Sequence, residues 1–321
     1  MRGANGSDEG RLDADQWALI LGGSSGFGLA TARKLAAHGM NLCIVHRDRR
    51  GAMGRIEPEF EKIRGAGVRL LTHNTDALAE ARRAEVLDEL AEAMAPRGRL
   101  RLMLHSIAFG NLKLLAPELS RERKAREALA AALGVEATTL GEAVDRLLEE
   151  GVDELAELAS PPSYSPRLLE AEDFERTIHS MGTSLVDWTQ DLHARGLFDT
   201  DARVLGLTSE GNEVAWKGYA AVAAAKVALE SVARAIAVEF GPHGIRCNVL
   251  QAGVTRTPAL AAIPGSAQLA ARARLRNPFR RLTEPEDVAN VVYLLSLAEA
   301  AWINGEVIRV DGGEHVSGVT A

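Results

Sequence analysis

From Trp17 onward, short apolar runs alternate with stretches whose apolar residues recur every three or four positions. The runs are WALIL (17–21), NLCIV (41–45), VRLLT (68–72), LRLML (100–104), RVLGLT (203–208), IRCNVL (245–250) and EVIRV (306–310). Runs this short and this continuously apolar suit strands buried on both faces. Between them the spacing predicts helices over 30–39, about 57–64, 77–94, 173–195, 220–240 and 284–298, with a short arginine-rich helix before the last. Parallel strands need crossover connections, so the alternation predicts a doubly wound α/β sheet of seven parallel strands. The sequence shows no internal repeat.

The alternation breaks after the fourth strand. Residues 112–170 or thereabouts read as a helical insertion, containing REALAAALG and EAVDRLLEEGVDELAELA and closed by SPPSYSP. Between Glu136 and Glu157 it carries eight acidic residues and one basic one. The first reading is a solvated helical excursion whose charges keep it soluble. The second is a lid, because loops at the carboxyl ends of parallel strands surround the site in such sheets. Residues 1–14 are polar and glycine-rich and are expected to form a flexible tail ahead of a single domain over 15–321.

Charge and composition narrow the function classes. Over 321 residues, 37 Lys and Arg face 44 Asp and Glu, a formal net charge of −7, which argues against a nucleic-acid binder working by phosphate neutralisation. No run approaches the roughly 18 apolar residues of a membrane span, and the first residues lack a signal-peptide core, so a cytoplasmic protein is expected. Cys43 and Cys247 sit inside apolar runs and read as core residues of a reducing compartment, with no metal role.

The segment LILGGSSGFGLATARKLA places Gly22, Gly26 and Gly28 between the first strand and its helix. Such a turn needs glycine to bend tightly, to admit a pyrophosphate against the backbone and to pack helix on strand. The phosphates would face the positive end of the helix. The second strand ends in HRDRR, where Arg47 with Arg49 or Arg50 would grip a 2′-phosphate, pointing to NADPH over NADH; the alternative is a solvated basic loop. Asp76, after the third strand, would accept from an adenine amino group or cap the following helix.

At the other end, the fifth strand leads to Ser209, and the next predicted helix carries Tyr219 and Lys226. Seven helical positions turn through about 700°, so the two share a face. A phenol supported by an ammonium group would stabilise or protonate an oxyanion.

With these residues in place, the chain from Trp17 to Gly318 resembles the short-chain dehydrogenase/reductase family, and within it the enoyl-acyl-carrier-protein reductases. Six residues separate Tyr219 from Lys226, as in that group, whereas the commoner spacing would put the tyrosine at Val222. HSIAFG (His105 to Gly110) and IRCNVLQAGVTRTPAL resemble that group's segments too. The resemblance implies a Rossmann-like domain with Tyr219, Lys226 and Ser209 as catalytic residues. It also implies a cofactor site of Gly22, Ser24, Ser25, Gly26, Phe27, Gly28, Arg47, Asp76, Ser106, Ile107, Ala108, Lys226, Gly253, Val254 and Thr257. Leu21 stands where the family usually has Thr. Ser209 occupies the position of the carbonyl-reducing members' serine, where many enoyl reductases carry a second Tyr, whereas Met181 lies near where those carbonyl-reducing members have Asn.

The implied activity is NADPH-dependent reduction of a trans-2-enoyl thioester in fatty-acid synthesis, on acyl carrier protein or coenzyme A, by a homodimer or homotetramer. The alternative in the same family is a carbonyl/alcohol oxidoreductase. A non-catalytic nucleotide sensor is a third class, against which the intact Tyr219 and Lys226 argue. Arg272, Arg274, Arg276, Arg280 and Arg281 are expected to form a basic rim for the negative carrier.

Overall fold

The structure is a computed structural model that describes Asp13, residues 15–118 and residues 124–318; the rest of the expected N-terminal tail lies outside these residues. Seven strands form one parallel sheet: β1 (Gln16–Leu21), β2 (Asn41–His46), β3 (Leu70–Asn74), β4 (Arg99–His105), β5 (Phe198–Ser209), β6 (Ile245–Ala252) and β7 (Val307–Val310). Their order is β3-β2-β1-β4-β5-β6-β7, a doubly wound Rossmann-like topology whose direction reverses between β1 and β4. In such sheets the crevice at the carboxyl ends of the reversing strands is where ligands bind.

The alternation of side chains along a strand builds two core layers from one sheet. Trp17, Leu19 and Leu21 of β1 face one layer, with Leu185, Trp188, Leu229 and Ile236; Ala18 and Ile20 face the other, with Leu35, Phe60 and Val292. The first layer is covered by α3 (Glu80–Met94), α7 (Ser184–Ala194) and α8 (Ala220–Glu239), the second by α1 (Gly26–Ala37), α2 (Met53–Arg64) and α11 (Pro285–Ser296). The buried arginines of the sheet are paired. Buried Arg203 on β5 donates to the carbonyls of Leu295 and Leu297 at the end of α11 and to Asp201. Although burial opposes it, hydrogen bonds from Arg203 and Arg101 hold the Asp201 carboxyl down to about 2.

Several helices depart from the predicted spans. The third begins at Glu80 and not at 77, because the Asp76 carboxylate accepts from the Leu78 amide and fixes a turn there. The insertion holds α4 (Lys124–Leu133) and α5 (Ala137–Glu149); Gly151, at φ +96°, ends the expected long acidic helix, and a 3₁₀ segment follows over Asp153–Leu158. The predicted helix at 173–195 is α6 (Ala171–Ile178) and α7 joined by a π-helical turn over His179–Thr183. There Gly182 lies so close to α8 that a Cβ would stand 2.8 Å from the Ala225 carbonyl oxygen. The chain after β6 forms α9 (Pro258–Ala261) and the arginine-rich α10 (Ser266–Arg276).

Candidate active site

The glycine turn is set by backbone contacts at the point of strand reversal. Gly22 adopts φ +85°, its amide donates to Val45 O at 2.7 Å, and a Cβ there would overlap the Ser106 carbonyl oxygen. A Cβ on Gly28 would overlap the Gly22 carbonyl in turn, so Gly22, Gly28 and Ser106 are locked backbone to backbone. Gly26, at φ +51°, faces Thr257 across a narrow gap. Ser25 enters α1 in an extended conformation without capping it, and no acidic residue occupies the first turn. The first-turn amides are thus left for an external acceptor, which fits the diphosphate of a nicotinamide dinucleotide.

The expected cofactor residues do not all meet. Phe27, Ala108, Gly253, Val254 and Thr257 line one cleft with Ser209 and Tyr219. Ile107 packs against the core instead. Arg47 and Asp76 form a pair of their own beyond β2 and β3, with Nη1 3.0 Å from Oδ2, and the Arg47 guanidinium lies 4.4 Å from the centre of the Phe109 ring. Asp76 therefore does not cap α3. Its carboxylate is shared between Arg47 and the Leu78 amide.

Ser209 ends β5, and its Oγ lies 3.3 Å from the Tyr219 hydroxyl. Tyr219 is not on the helix: it is the residue before α8, at φ −111° and ψ 3°, after Gly218 at φ +71°. Lys226 is buried on α8, and its Nζ donates to the Leu207 carbonyl, two residues before Ser209, at 2.7 Å. The end of β5 thus gathers all three side chains. Burial pushes the Tyr219 phenol up, against the Ser209 contact, and pushes Lys226 down to about 8. His105 at the end of β4 is pushed down to about 3 by burial and, neutral, bonds Ser184 Oγ at 2.8 Å.

Three further residues shape this end. A Cβ on Gly211 would come within 2.5 Å of Tyr219 Cε1, so glycine there makes room for the ring. Trp216 stands edge-on to Tyr219, ring centres 5.4 Å apart. The π-helical turn presents Met181 to the cleft. The cleft, of about 190 Å³, is walled mainly by apolar groups, Leu260, Ile263 and Leu269 of the α9–α10 segment among them, with Thr208, Glu210 and Thr255 as polar exceptions. Gly211 and Trp216 escape a reading of the sequence because nothing local marks them; only the folded position of Tyr219 does.

The arginines of α10 do not form an open basic rim. Arg274 makes a two-pronged pair with Asp153, Nε to Oδ2 at 2.7 Å, both side chains nearly buried. Arg272 pairs with Glu157, Arg281 with Asp287, and Arg276 with Glu210 and Glu314. Among the described residues, Arg280 alone of the five shows no carboxylate partner; it donates to the Leu275 carbonyl. The acidic run of the insertion is correspondingly not a solvated face throughout. Val144, Leu148, Ala156 and Ala159 pack on Ala271, and Asp153 is held by Arg274, so the insertion buttresses α10. Beyond it, Pro162 abuts Gly265 and the Tyr164 ring abuts Gly218.

A doubly wound sheet, an uncapped glycine turn at the strand reversal and a Ser–Tyr pair beside a buried lysine together define a nicotinamide-nucleotide-type oxidoreductase fold. The chain is similar to members of the short-chain dehydrogenase/reductase family. A family model described as Enoyl-(Acyl carrier protein) reductase matches residues 161–315. Protein FixR of Bradyrhizobium diazoefficiens is 32% identical over 151 residues, 43% of this chain and 52% of that protein. Enoyl-[acyl-carrier-protein] reductase [NADH] FabI of Escherichia coli is 34% identical over 123 residues, 38% of this chain and 47% of that protein. The chain thus spans about half the length of these two relatives. An uncharacterized oxidoreductase of Mycobacterium tuberculosis is 26% identical over 94% of this chain and 93% of its own. Two solved structures share the fold: an enoyl-[acyl-carrier-protein] reductase (NADH) of Aquifex aeolicus (TM-score 0.68, 23% identity, 95% of this chain and 98% of that one) and a 3-ketoacyl-(acyl-carrier-protein) reductase of Brucella melitensis complexed with NADH (0.65, 22%, 94% and 98%). Among the described residues no helix is long and apolar enough to cross a membrane, and no group of three or more His, Cys, Asp or Glu is placed to hold a metal ion.

Proposed function

We propose that this chain reduces the double bond of a trans-2-enoyl thioester with NADPH. The observation that carries the reading is the Tyr219 hydroxyl beside Ser209 at the head of an apolar cleft, with Met181 on its wall. Bound against Gly22, Ser24, Ser25, Gly26, Phe27, Gly28, Ser106 and Ala108 on one side and Gly253, Val254 and Thr257 on the other, reduced nicotinamide would supply the hydride. As the hydride reaches the β-carbon, the electrons of the double bond move onto the thioester oxygen. Tyr219, whose phenol burial pushes up, donates to that oxygen. Lys226 adds positive charge close by and would hold the nicotinamide ribose. A proton from the Tyr219 hydroxyl, replaced from solvent, then completes the α-carbon as the thioester carbonyl re-forms. The apolar walls suit an acyl chain and exclude water from the enolate.

Arg47, half exposed after β2, supports the choice of NADPH: a 2′-phosphate would draw its guanidinium from Asp76. The carrier would be acyl carrier protein or coenzyme A, and the assembly a homodimer or homotetramer. The Ser209–Tyr219 contact also favours a second reading, in which the pair polarises a ketone. The test is NADPH oxidation with a short trans-2-enoyl thioester beside a panel of ketones and 3-ketoacyl thioesters. Turnover of the enoyl thioester at least tenfold above the ketones supports the first reading, and the reverse order supports the second.

A further inference from the structure

The end of α10 points inward, toward the cleft. Arg276 Nη1 donates to Glu210 Oε1 at 2.6 Å, and Nη2 reaches both Glu210 Oε2 and Glu314 Oε1, the latter at 2.9 Å. Both carboxylates are deeply buried, Glu210 at 7% and Glu314 at 1% exposure. Neither lies at random. Glu210 directly follows Ser209 and lines the cleft. Glu314 Oε2 accepts the Val254 amide at 3.2 Å and, with the Thr283 hydroxyl, crowds the space where a Cβ of Gly253 would stand. One guanidinium therefore joins the end of β5 to the loop after β6, the two walls between which a nicotinamide would have to sit.

We propose that Arg276 is a positioning residue that holds Ser209 and the Gly253–Thr257 loop in fixed relation through Glu210 and Glu314. The assignment rests on reading the cleft as a nicotinamide-dependent reductase site. The physical reason is the planar fork: an arginine can bond two carboxylates at once along fixed directions, which a lysine ammonium does only as a point charge. Without it, two buried carboxylates face each other with no cation between them. Their repulsion drives them apart, and Glu314 withdraws from the Val254 amide.

The experiment uses the full chain with Arg276→Met, Arg276→Lys and Glu314→Gln. Nucleotide affinity is read by fluorescence titration with NADPH and NADH, the Val254 amide by hydrogen exchange without cofactor, and kcat and KM with whichever thioester or ketone the unmodified protein turns over. Arg276→Met is expected to weaken both nucleotides about tenfold and to lower kcat on the order of 10- to 100-fold, while KM for the second substrate changes little. Val254 exchange should accelerate while amides of β1 and β4 do not. Arg276→Lys should recover part of kcat. Glu314→Gln should reproduce the loss of nucleotide affinity with a smaller loss of kcat, because Arg276 still holds Glu210. Unchanged affinity and unchanged Val254 exchange in Arg276→Met overturn the proposal, and so does acceleration spread evenly over the sheet, which marks a loss of global stability alone. If no enoyl thioester is turned over, the proposed reaction falls, while affinity and exchange still decide the role of Arg276.

Discussion

The two halves of the cleft are built by different physics. On the proposed nucleotide side, Gly22, Gly28 and Ser106 meet backbone to backbone, and the constraints are positive φ and the absence of Cβ atoms. On the substrate side, α10 is held by side chains from far along the chain: Asp153, 121 residues from Arg274, and Glu210, 66 residues from Arg276. The first half tolerates almost no added atom. The second depends on charge pairs that each need both partners, and the loss of one leaves a buried charge uncompensated.

The hardest break in that contrast is at Gly22. Gly22→Ala is expected to cost about 2 to 5 kcal/mol, from left-handed strain plus overlap with the Ser106 carbonyl, and to abolish nucleotide binding. Denaturant unfolding and NADPH titration measure both, and a fully stable variant would show that the turn is not locked. Tyr219→Phe falls between the halves. It should lower kcat on the order of 100- to 1,000-fold by removing one donor to the oxyanion, with NADPH affinity unchanged. Equal losses in binding and turnover would place Tyr219 in nucleotide binding and take it out of the chemistry.

The glycine turn and the Ser209–Tyr219 pair are legible in the sequence because their rules are local. Glycines at 22, 26 and 28 sit in one turn, and Ser209, Tyr219 and Lys226 lie within eighteen residues. Even there the helix geometry misleads, since Tyr219 precedes α8 and Gly211 clears the space for its ring. The substrate half is not legible. Five arginines near one helix read as an open rim, and an acidic run as a solvated face, because a sequence does not show that Arg274 and Asp153 neutralise each other. The π-helical turn at Met181 is hidden for a similar reason: it coincides with the close approach of α8 to Gly182, a tertiary contact.

Smaller perturbations sharpen the comparison. Arg274→Met should cost about 3 kcal/mol by stranding Asp153, raise KM for the thioester several-fold as α10 loosens, and leave nucleotide affinity unchanged. Reversing the pair with Arg274→Asp and Asp153→Arg together should restore much of the loss, and no restoration would mean that packing on Ala271 holds α10 alone. Arg47→Gln should weaken NADPH by about 1.5 to 3 kcal/mol and leave NADH nearly untouched. An equal effect on both would assign Arg47 to its Asp76 and Phe109 contacts only. The mildest effect is in pH. Burial lowers Lys226 to about 8, so its ammonium is present below that pH and is lost above it. With enoyl thioester, kcat/KM should fall as pH rises through about 8, and a flat profile to pH 9.5 would remove Lys226 charge from the reaction.

The most direct test of the proposed chemistry follows the hydride itself. NADPH deuterated at the transferring position of C4 is supplied with a short trans-2-enoyl thioester and a 3-ketoacyl thioester together, and the products are read by mass spectrometry and NMR. The expected result is one deuterium on the β-carbon of a saturated thioester, with the ketone left unreduced. Deuterium on the carbinol carbon of a 3-hydroxyacyl thioester, with the enoyl substrate recovered unchanged, would contradict enoyl reduction and assign Ser209 and Tyr219 to a carbonyl group.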